Sequence, residues 1–489
     1  MRKPFSRQQR LDCRTVLNVE LNLNCRHEII PILKTLQHIY ANPNLRDEIL
    51  GLVAREVNKD SRDDCGREGM DYWQILVLAS LRQGCGLNYD QLQDLAENHR
   101  NVRHIMGIGD WDEDTSFNWR RIQENVCHLS PETIEKINQL VVDEGHRLVP
   151  EAAEQVRADS FVAETDIHWP SESTLIRDGV RKTIELCVVL ASLFGVDGWR
   201  QSNHLLKKVK RLSHKIERIS SRKGPGYEGR LRNEYRKLLR FSGKVLRKAR
   251  RTIEEIEECG SADLASLCQL AELQTFVERT EQVGDTAGRR VLNGEKVPNK
   301  EKLFSIFEPH TQLYKRGKAG EPVQFGRLVL VYEDAVGFIV HHHVLPRDSQ
   351  DADVAVEQTR ELQKRLGGRV KKLSFDRGFH TPDNQKELAK IVPHLCLPKR
   401  GAKQAARQQA EATEEFIESR QRHPGVESAI GALQRGNGME RCRDRTEVGF
   451  RRYVALGVLG RNLHVLGKLL IAQQNAASPA AYSKRQRAA

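Results

Sequence analysis

Apolar residues in the first third of the chain recur at helical intervals. Between Tyr72 and Arg82 the positions Ile75, Leu76, Leu78, Ala79 and Leu81 fall near one helical period, the run stops at Gly84-Cys-Gly86, and a second begins around Leu92, Leu95 and Ala96. Two short helices across a Gly-bearing turn are compatible with a helix-turn-helix, although any helical bundle makes such turns. Ser130-Pro-Glu-Thr is a helix start, with Ser as cap and Pro at the first helical position, and Ile134, Ile137, Leu140 and Val141 form the apolar stripe behind it. Residues 1–150 are therefore expected to be an all-helical N-terminal domain for DNA binding or dimerisation.

The period then changes. Gln155 to His168 alternates polar with β-branched or aromatic residues and predicts a strand, with Asp159 inside it, where propensity disfavours an aspartate. From 187 to 294 the pattern is helical again. Leu205, Val209, Leu212, Ile216 and Ile219 follow coiled-coil spacing, a Gly/Pro turn at 221–229 interrupts, and Leu231, Tyr235, Leu238, Phe241 and Val245 resume it, which predicts an inserted helical hairpin. Strands return at 325–333 and 337–344, then a helix at 353–366, a strand at 369–375 ending on Asp376, a short helix at 384–391 and a short strand at 394–397. Residues 402–422 read as a connector or solvated helix, a further helix begins near Pro424, and 471–489 read as a disordered tail. Taken as 151–470 with the insertion removed, this is the element order of an RNase H-like α/β core.

Composition narrows the partners. The 489 residues have 79 Lys and Arg against 66 Asp and Glu, a net charge of +13, which points to a polyanion. The positive charge is concentrated on the predicted hairpin, at Lys207, Lys208, Lys210, Arg211, Lys215, Arg236, Lys237, Arg240, Lys244, Arg247, Lys248, Arg250 and Arg251. A surface so one-signed repels itself unless phosphates pair with it, so double-stranded DNA is the expected ligand. Lys315, Arg316 and Lys318, on a Gly-bearing loop, are further candidates for a DNA phosphate, and Trp169 is a candidate for stacking on an unpaired base. The ten cysteines form no CxxC pair and suggest reduced thiols rather than a zinc ribbon or disulfide framework. The apolar stretch Tyr453–Ala472 is broken by Arg461, Asn462, His464 and Lys468, so no membrane span is expected and the predicted location is cytoplasmic, on the nucleoid.

The candidate chemistry lies in three acids. Asp159 in the first strand, Asp376 at the end of the fourth and Glu427 on the helix after Pro424 would converge at one edge of such an RNase H-like sheet. Three carboxylates suit hard divalent cations, Mg2+ or Mn2+ and two of them, which serve in-line phosphoryl displacement. No GxxxxGK[ST] loop is present, and exchanging one phosphodiester for another needs no nucleotide. His341-His-His343 does not make a metal site, because successive strand residues point to opposite faces.

The stretches Val156–Pro170 with Ser173–Gly179, Phe375-Asp-Arg-Gly-Phe379, and Arg422–Ile430 with Gly438–Arg443 and Gly449–Leu456 resemble, in this order, the three acid blocks of insertion-sequence DDE transposases of the ISNCY-like group. The region Gly69–Tyr72 is similar to the helical domain that precedes the core in related transposases. The resemblance implies metal-dependent cleavage at transposon ends and strand transfer by Asp159, Asp376 and Glu427, with a dimer expected because two ends must meet. It also favours Asp159 over Asp166 as the first acid. The sequence departs from related enzymes around the third acid. Where Tyr and Arg commonly precede the glutamate, Arg420 and His423 stand here, and Gln434 holds the place of a following basic residue, with Arg435 one position late. His423 and Arg435 are candidates for contacting DNA. An RNase H-like endonuclease without strand transfer, and a catalytically silent transposon-derived DNA-binding protein, are the alternatives.

Overall fold

Among the described residues, seven α-helices precede the first strand: α1 (Ile29–Ala41), α2 (Pro43–Val57), α3 (Tyr72–Gly84), α4 (Tyr89–Asn98), α5 (Arg100–Ile105), α6 (Trp119–His128) and α7 (Pro131–Leu148). Their starts follow from capping: the Ser130 hydroxyl accepts from the Thr133 amide ahead of Pro131, and Asn88 accepts from Gln91 at the head of α4. Strand β1 (Gln155–Thr165) follows, then α8 (Glu172–Phe194), α9 (Ser202–Arg222), α10 (Tyr227–Glu258), α11 (Leu264–Ala287) and β2 (Gln312–Tyr314). The remainder alternates: β3 (Gln324–Asp334), β4 (Ile339–Val344), α12 (Asp351–Arg365), β5 (Lys372–Phe375), α13 (Pro382–Ile391), β6 (His394–Cys396), α14 (Ala405–Glu411), α15 (Glu414–Arg422), α16 (Gly425–Gly431), β7 (Arg441–Cys442) and α17 (Thr446–Ala477). This computed structural model describes residues 2–5, 11–59, 69–112, 115–259, 263–315, 323–399, 401 and 405–477.

The chain forms two units, residues 1–166 with 327–489, and residues 167–326. In the first, β3, β1, β5 and β6 are neighbours in that order, β4 pairs antiparallel with β3, and β7 pairs with β1. Strands β1, β5 and β6 are parallel. Parallel neighbours need long crossovers, and the whole second unit lies in the connection that follows β1.

The N-terminal helices are not a body apart from this sheet. Helix α17 is apolar on nearly every side, burying Phe450, Tyr453, Val454, Leu456, Val458, Leu459, Leu463 and Leu466 among others, and a helix of that kind must be enclosed. Helices α1, α3 and α7 pack along it, and β4 lies against it as well. Close approach is made possible by glycine: a side chain on Gly460 would come within 2.7 Å of the Gly84 backbone on α3. By length and composition α17 would also be long enough to cross a membrane, but it is mostly buried inside this unit. The helix continues to Ala477, so the segment 471–477, expected to be disordered, is its last turns; residues 478–489 of that predicted tail lie outside the described residues.

The second unit contains the segment 187–294 within a wider helical body. The turn between α9 and α10 has Lys223 and Gly226 in the left-handed region, and the seam residues Val209, Ile216, Tyr235, Leu238, Phe241 and Val245 are buried as predicted by their spacing. They are not confined to a two-helix hairpin. Helices α8 and α11 complete a bundle around the same core, adding Ile176, Val180, Ile184, Leu190, Leu273 and Val277. Helix α8 starts at Glu172, where Ser171 caps it, well before the apolar run at Leu186 that marks its C-terminal half.

Candidate active site

The site grows from the alternation of β1. Val156, Ala158 and Ser160 are buried on one face, whereas Gln155, Arg157 and Asp159 are half-buried on the other. Strand β5 runs parallel beside it, with Arg157 opposite Ser374 and Ala158 opposite Phe375. Asp159 and Asp376 are the next residues on each strand. Asp376 keeps an extended backbone, φ −72 and ψ 163, as it leads into the 3-10 turn Arg377–Phe379. The two aspartates therefore leave the pairing on the same face, about one strand spacing, ~4.8 Å, apart at the backbone. Asp159 Oδ1 accepts from the Ser160 amide at 2.7 Å, and Asp376 is exposed.

The same face of β1 continues through Phe161 and Ala163, which are buried against Val426, Ala429 and Ile430 of α16. Helix α16 thus lies on the aspartate face, and Glu427 stands exposed in its first turn. The turn before α16 is tied down. Arg157 Nη1 donates to the Arg422 carbonyl at 3.1 Å, Arg422 Nη1 donates to Gln155 Oε1 at 2.8 Å, and Ser374 Oγ meets His423 Nδ1 at 3.1 Å. Arg157 is in turn gripped by Glu333, Nε to Oε2 at 2.6 Å. Beyond Glu427 the helix opens into a π-helical turn, Ala432–Gly436, a local widening often found at functional sites, and Arg435 is exposed on it.

His423 sits within electrostatic reach of Asp376 and Glu427. Burial lowers its pKa below the ordinary imidazole value, and the Arg157 charge works in the same direction, while the two carboxylates oppose both. The ring is therefore neutral at neutral pH, with one nitrogen committed to Ser374. Among the described residues no group of three or more His, Cys, Asp or Glu side chains is drawn together as a metal-holding cluster. Asp159 on β1 and Asp376 directly after β5 share one face, and α16, which bears Glu427, packs against that face of β1.

Asp166 is placed elsewhere. It follows the end of β1, seven residues and roughly 20 Å of strand beyond Asp159, and is exposed beside Arg441 at 3.8 Å. His341 and His342 take separate partners, Gln358 at 2.9 Å and Glu135 at 3.7 Å. Trp169 is exposed in the second unit, edge-on to Phe325 at 5.2 Å.

The basic residues of the bundle are engaged to three different degrees. Some are neutralised: Lys215 and Lys237 share buried Glu234, each at 2.8 Å, and Arg250 pairs with Glu281 at 2.5 Å. Lys208 lies over the Phe241 ring at 5.0 Å, Lys248 over Trp199 at 4.6 Å, and Arg236 bonds Asn233. The others, Lys207, Lys210, Arg211, Arg240, Lys244, Arg247 and Arg251, are exposed without an ion pair among the described residues. Lys207 and Lys210 line a groove between α8 and α9 together with Arg177 and Arg181. Lys315 is exposed just after β2, and Arg316 and Lys318 lie outside the described residues.

Sequence reasoning did not single out Arg157, Ser374 or Glu333. A signal for the first was available, since an arginine two positions before a strand aspartate shares its face. Glu333, 176 positions away from Arg157 in the chain, gave none.

Residues 302–463 match the transposase DDE domain family. The matched stretch includes Asp376 and Glu427; Asp159 lies upstream of it. No curated protein and no solved structure matches the chain.

Proposed function

We propose, from the match of residues 302–463 to the transposase DDE domain family, that the chain is an insertion-sequence DDE transposase of the ISNCY-like group that binds transposon ends, hydrolyses a phosphodiester there and joins the freed 3′-hydroxyl end to target DNA. The observation that carries this reading is the register of β1 and β5, which sets Asp159 beside Asp376 in a chain whose matched stretch, residues 302–463, contains Asp376 and Glu427. The strand order β4, β3, β1, β5, β6, with β3 and β4 antiparallel and β1, β5 and β6 parallel, supports an RNase H-like core.

In this reading Asp159, Asp376 and Glu427 form the acidic triad. All three donors are carboxylates, which fits a hard cation with oxygen preference such as Mg2+ or Mn2+. Two ions bound there would activate the attacking water or hydroxyl and neutralise charge on the leaving oxygen. His423, neutral and hydrogen-bonded to Ser374, offers a donor near the acids for a DNA phosphate, in the place where related enzymes carry arginine. The unpaired lysines and arginines of α9 and α10 bind the DNA backbone, and two copies acting together hold the two ends.

The experiment is cleavage and joining on the DNA ends that flank the gene, with Mg2+ or Mn2+. Joined products from the wild type, lost in Asp159→Asn, Asp376→Asn and Glu427→Gln, are expected. Cutting without joining would make the protein a nuclease, and folded protein that binds DNA without ever cutting it would make it a silent binder.

A further inference from the structure

We propose that Arg157, held by Glu333, is a positioning residue that fixes the distance between the first and third acids; this rests on the transposase reading above. The row Gln155, Arg157, Asp159 divides its work along one face of β1. Gln155 and Arg157 hold the Arg422–Gly425 turn that leads into α16 and Glu427, and Asp159 is the next residue of the same row.

Arg157 is suited to this by the shape of its guanidinium. Nε is bonded to Glu333 Oε2 and Nη1 to the Arg422 carbonyl, so one rigid plane joins the end of β3 to the entry of α16. The contact with α16 is direct: a Cβ on Gly425 would overlap the guanidinium, so the helix begins against it with no room between. Arg157 is two residues from Asp159 and Gly425 is two from Glu427. A shift of the guanidinium would therefore move the start of α16, and Glu427 with it, relative to Asp159.

Glu333 explains why the arginine stays where it is. Its side chain is 3% exposed, and burial raises its pKa against the opposing pull of Arg157 and Arg461. A carboxylate so withdrawn needs its cation, and the pair is mutually fixed. Lysine would not substitute, because a single ammonium cannot span both acceptors in one plane.

The test uses the full chain and two readouts: the Mn2+ concentration for half-maximal cleavage of a cognate DNA end, and the Mn2+ concentration for half of the metal-induced rise in Tm. Arg157→Met, Arg157→Lys, Glu333→Gln and Gly425→Ala are compared with wild type. Expected is an increase of about tenfold or more in both Mn2+ midpoints, the scale seen when residues that orient ligands are removed, with DNA-end affinity at moderate salt unchanged. If Arg157→Met does not fold, Gly425→Ala and the isosteric Glu333→Gln decide. A folded variant whose two Mn2+ midpoints stay within twofold of wild type overturns the proposal. Should the wild type cut no DNA, the transposase reading falls, while the Tm midpoints still judge the positioning role separately.

Discussion

Ala158 on β1 and Phe375 on β5 are register partners, and each is followed directly by an aspartate. The relationship depends only on the parallel pairing of two central strands. It is indifferent to what lies in the crossover between them, and here that crossover includes the whole unit 167–326. The helix with Glu427 is then brought over the same strand face by Phe161 and Ala163 beneath α16.

Substitution of the acids should separate Asp159 from Asp166. Asp159→Asn, Asp376→Asn and Glu427→Gln are each expected to lower end cleavage on the order of a thousandfold or more while leaving end binding intact, since each removes a carboxylate from a unit that acts jointly. Asp166→Asn should stay within a few-fold of wild type, because Asp166 is far along the strand and paired with Arg441. Single-turnover cleavage of a labelled end measures both, and a large loss in Asp166→Asn with activity surviving in Asp159→Asn would reverse the assignment.

The charge on the bundle is expected to act in proportion to which cations are unengaged. Lys207→Gln, Lys210→Gln, Arg240→Gln and Lys244→Gln should each weaken DNA binding for any sequence and reduce the slope of log affinity against log salt by about one for every phosphate that is no longer neutralised. Lys215→Gln and Lys237→Gln should change that slope less, because both ammonium groups are shared with Glu234. Fluorescence anisotropy across a salt series distinguishes them; equal slopes for the two groups would remove this face from the DNA interface.

The strands and helices around the acids were legible because each has a period of its own: β1, β3, β4, α12, β5, α13 and β6 all lie where alternation or helical spacing puts them. What was not legible is what depends on partners distant in sequence. The apolar stretch after Tyr453 reads as too polar for a membrane, but nothing in it names α1, α3 and α7 as its cover. The coiled-coil spacing of α9 and α10 predicts burial of one stripe without revealing that α8 and α11 bury it too. Periodicity reports which side of an element is covered, and the identity of the covering element comes from tertiary packing. The bond between Arg157 and Glu333 belongs to the same class, a side-chain pairing across strands that neither spacing nor composition encodes.

Acid should weaken the fold through the buried histidines of β4. His342 is buried and its pKa is lowered to about 4 by burial, and His341 is lowered for the same reason. The unfolded chain, with ordinary imidazoles near 6.5, takes up protons before the folded one does. Stability from these groups is therefore complete above about pH 6.5 and is lost as the pH falls toward 4, with unfolding free energy rising with pH across that window. For His342 the loss is up to about 3 kcal/mol. Urea unfolding at several pH values should show this slope, and His342→Gln should flatten it; an unchanged slope would mean that His342 titrates normally in the folded chain.

Asn462 is expected to be the most costly polar residue of α17 to remove. Its side chain is fully buried, its amide donates to Asn138 Oδ1 at 2.8 Å and to the Ile339 carbonyl at 2.9 Å, and its oxygen accepts from the Ile339 amide at 2.8 Å. It therefore replaces a strand partner at the start of β4 and ties that strand to α7 through Asn138. Asn462→Leu keeps the volume yet leaves the Ile339 amide and carbonyl and the Asn138 oxygen without partners, at about 1–3 kcal/mol for each buried group left unsatisfied. A destabilisation of several kcal/mol is expected, with Asn138→Ala costing less because the Ile339 bonds remain. The double variant should cost less than the sum of the two, since removing Asn138 also removes one of the groups that Asn462→Leu strands. Urea midpoints for the four proteins give this coupling, and simple additivity would show that the bond between the two asparagines contributes nothing to the fold.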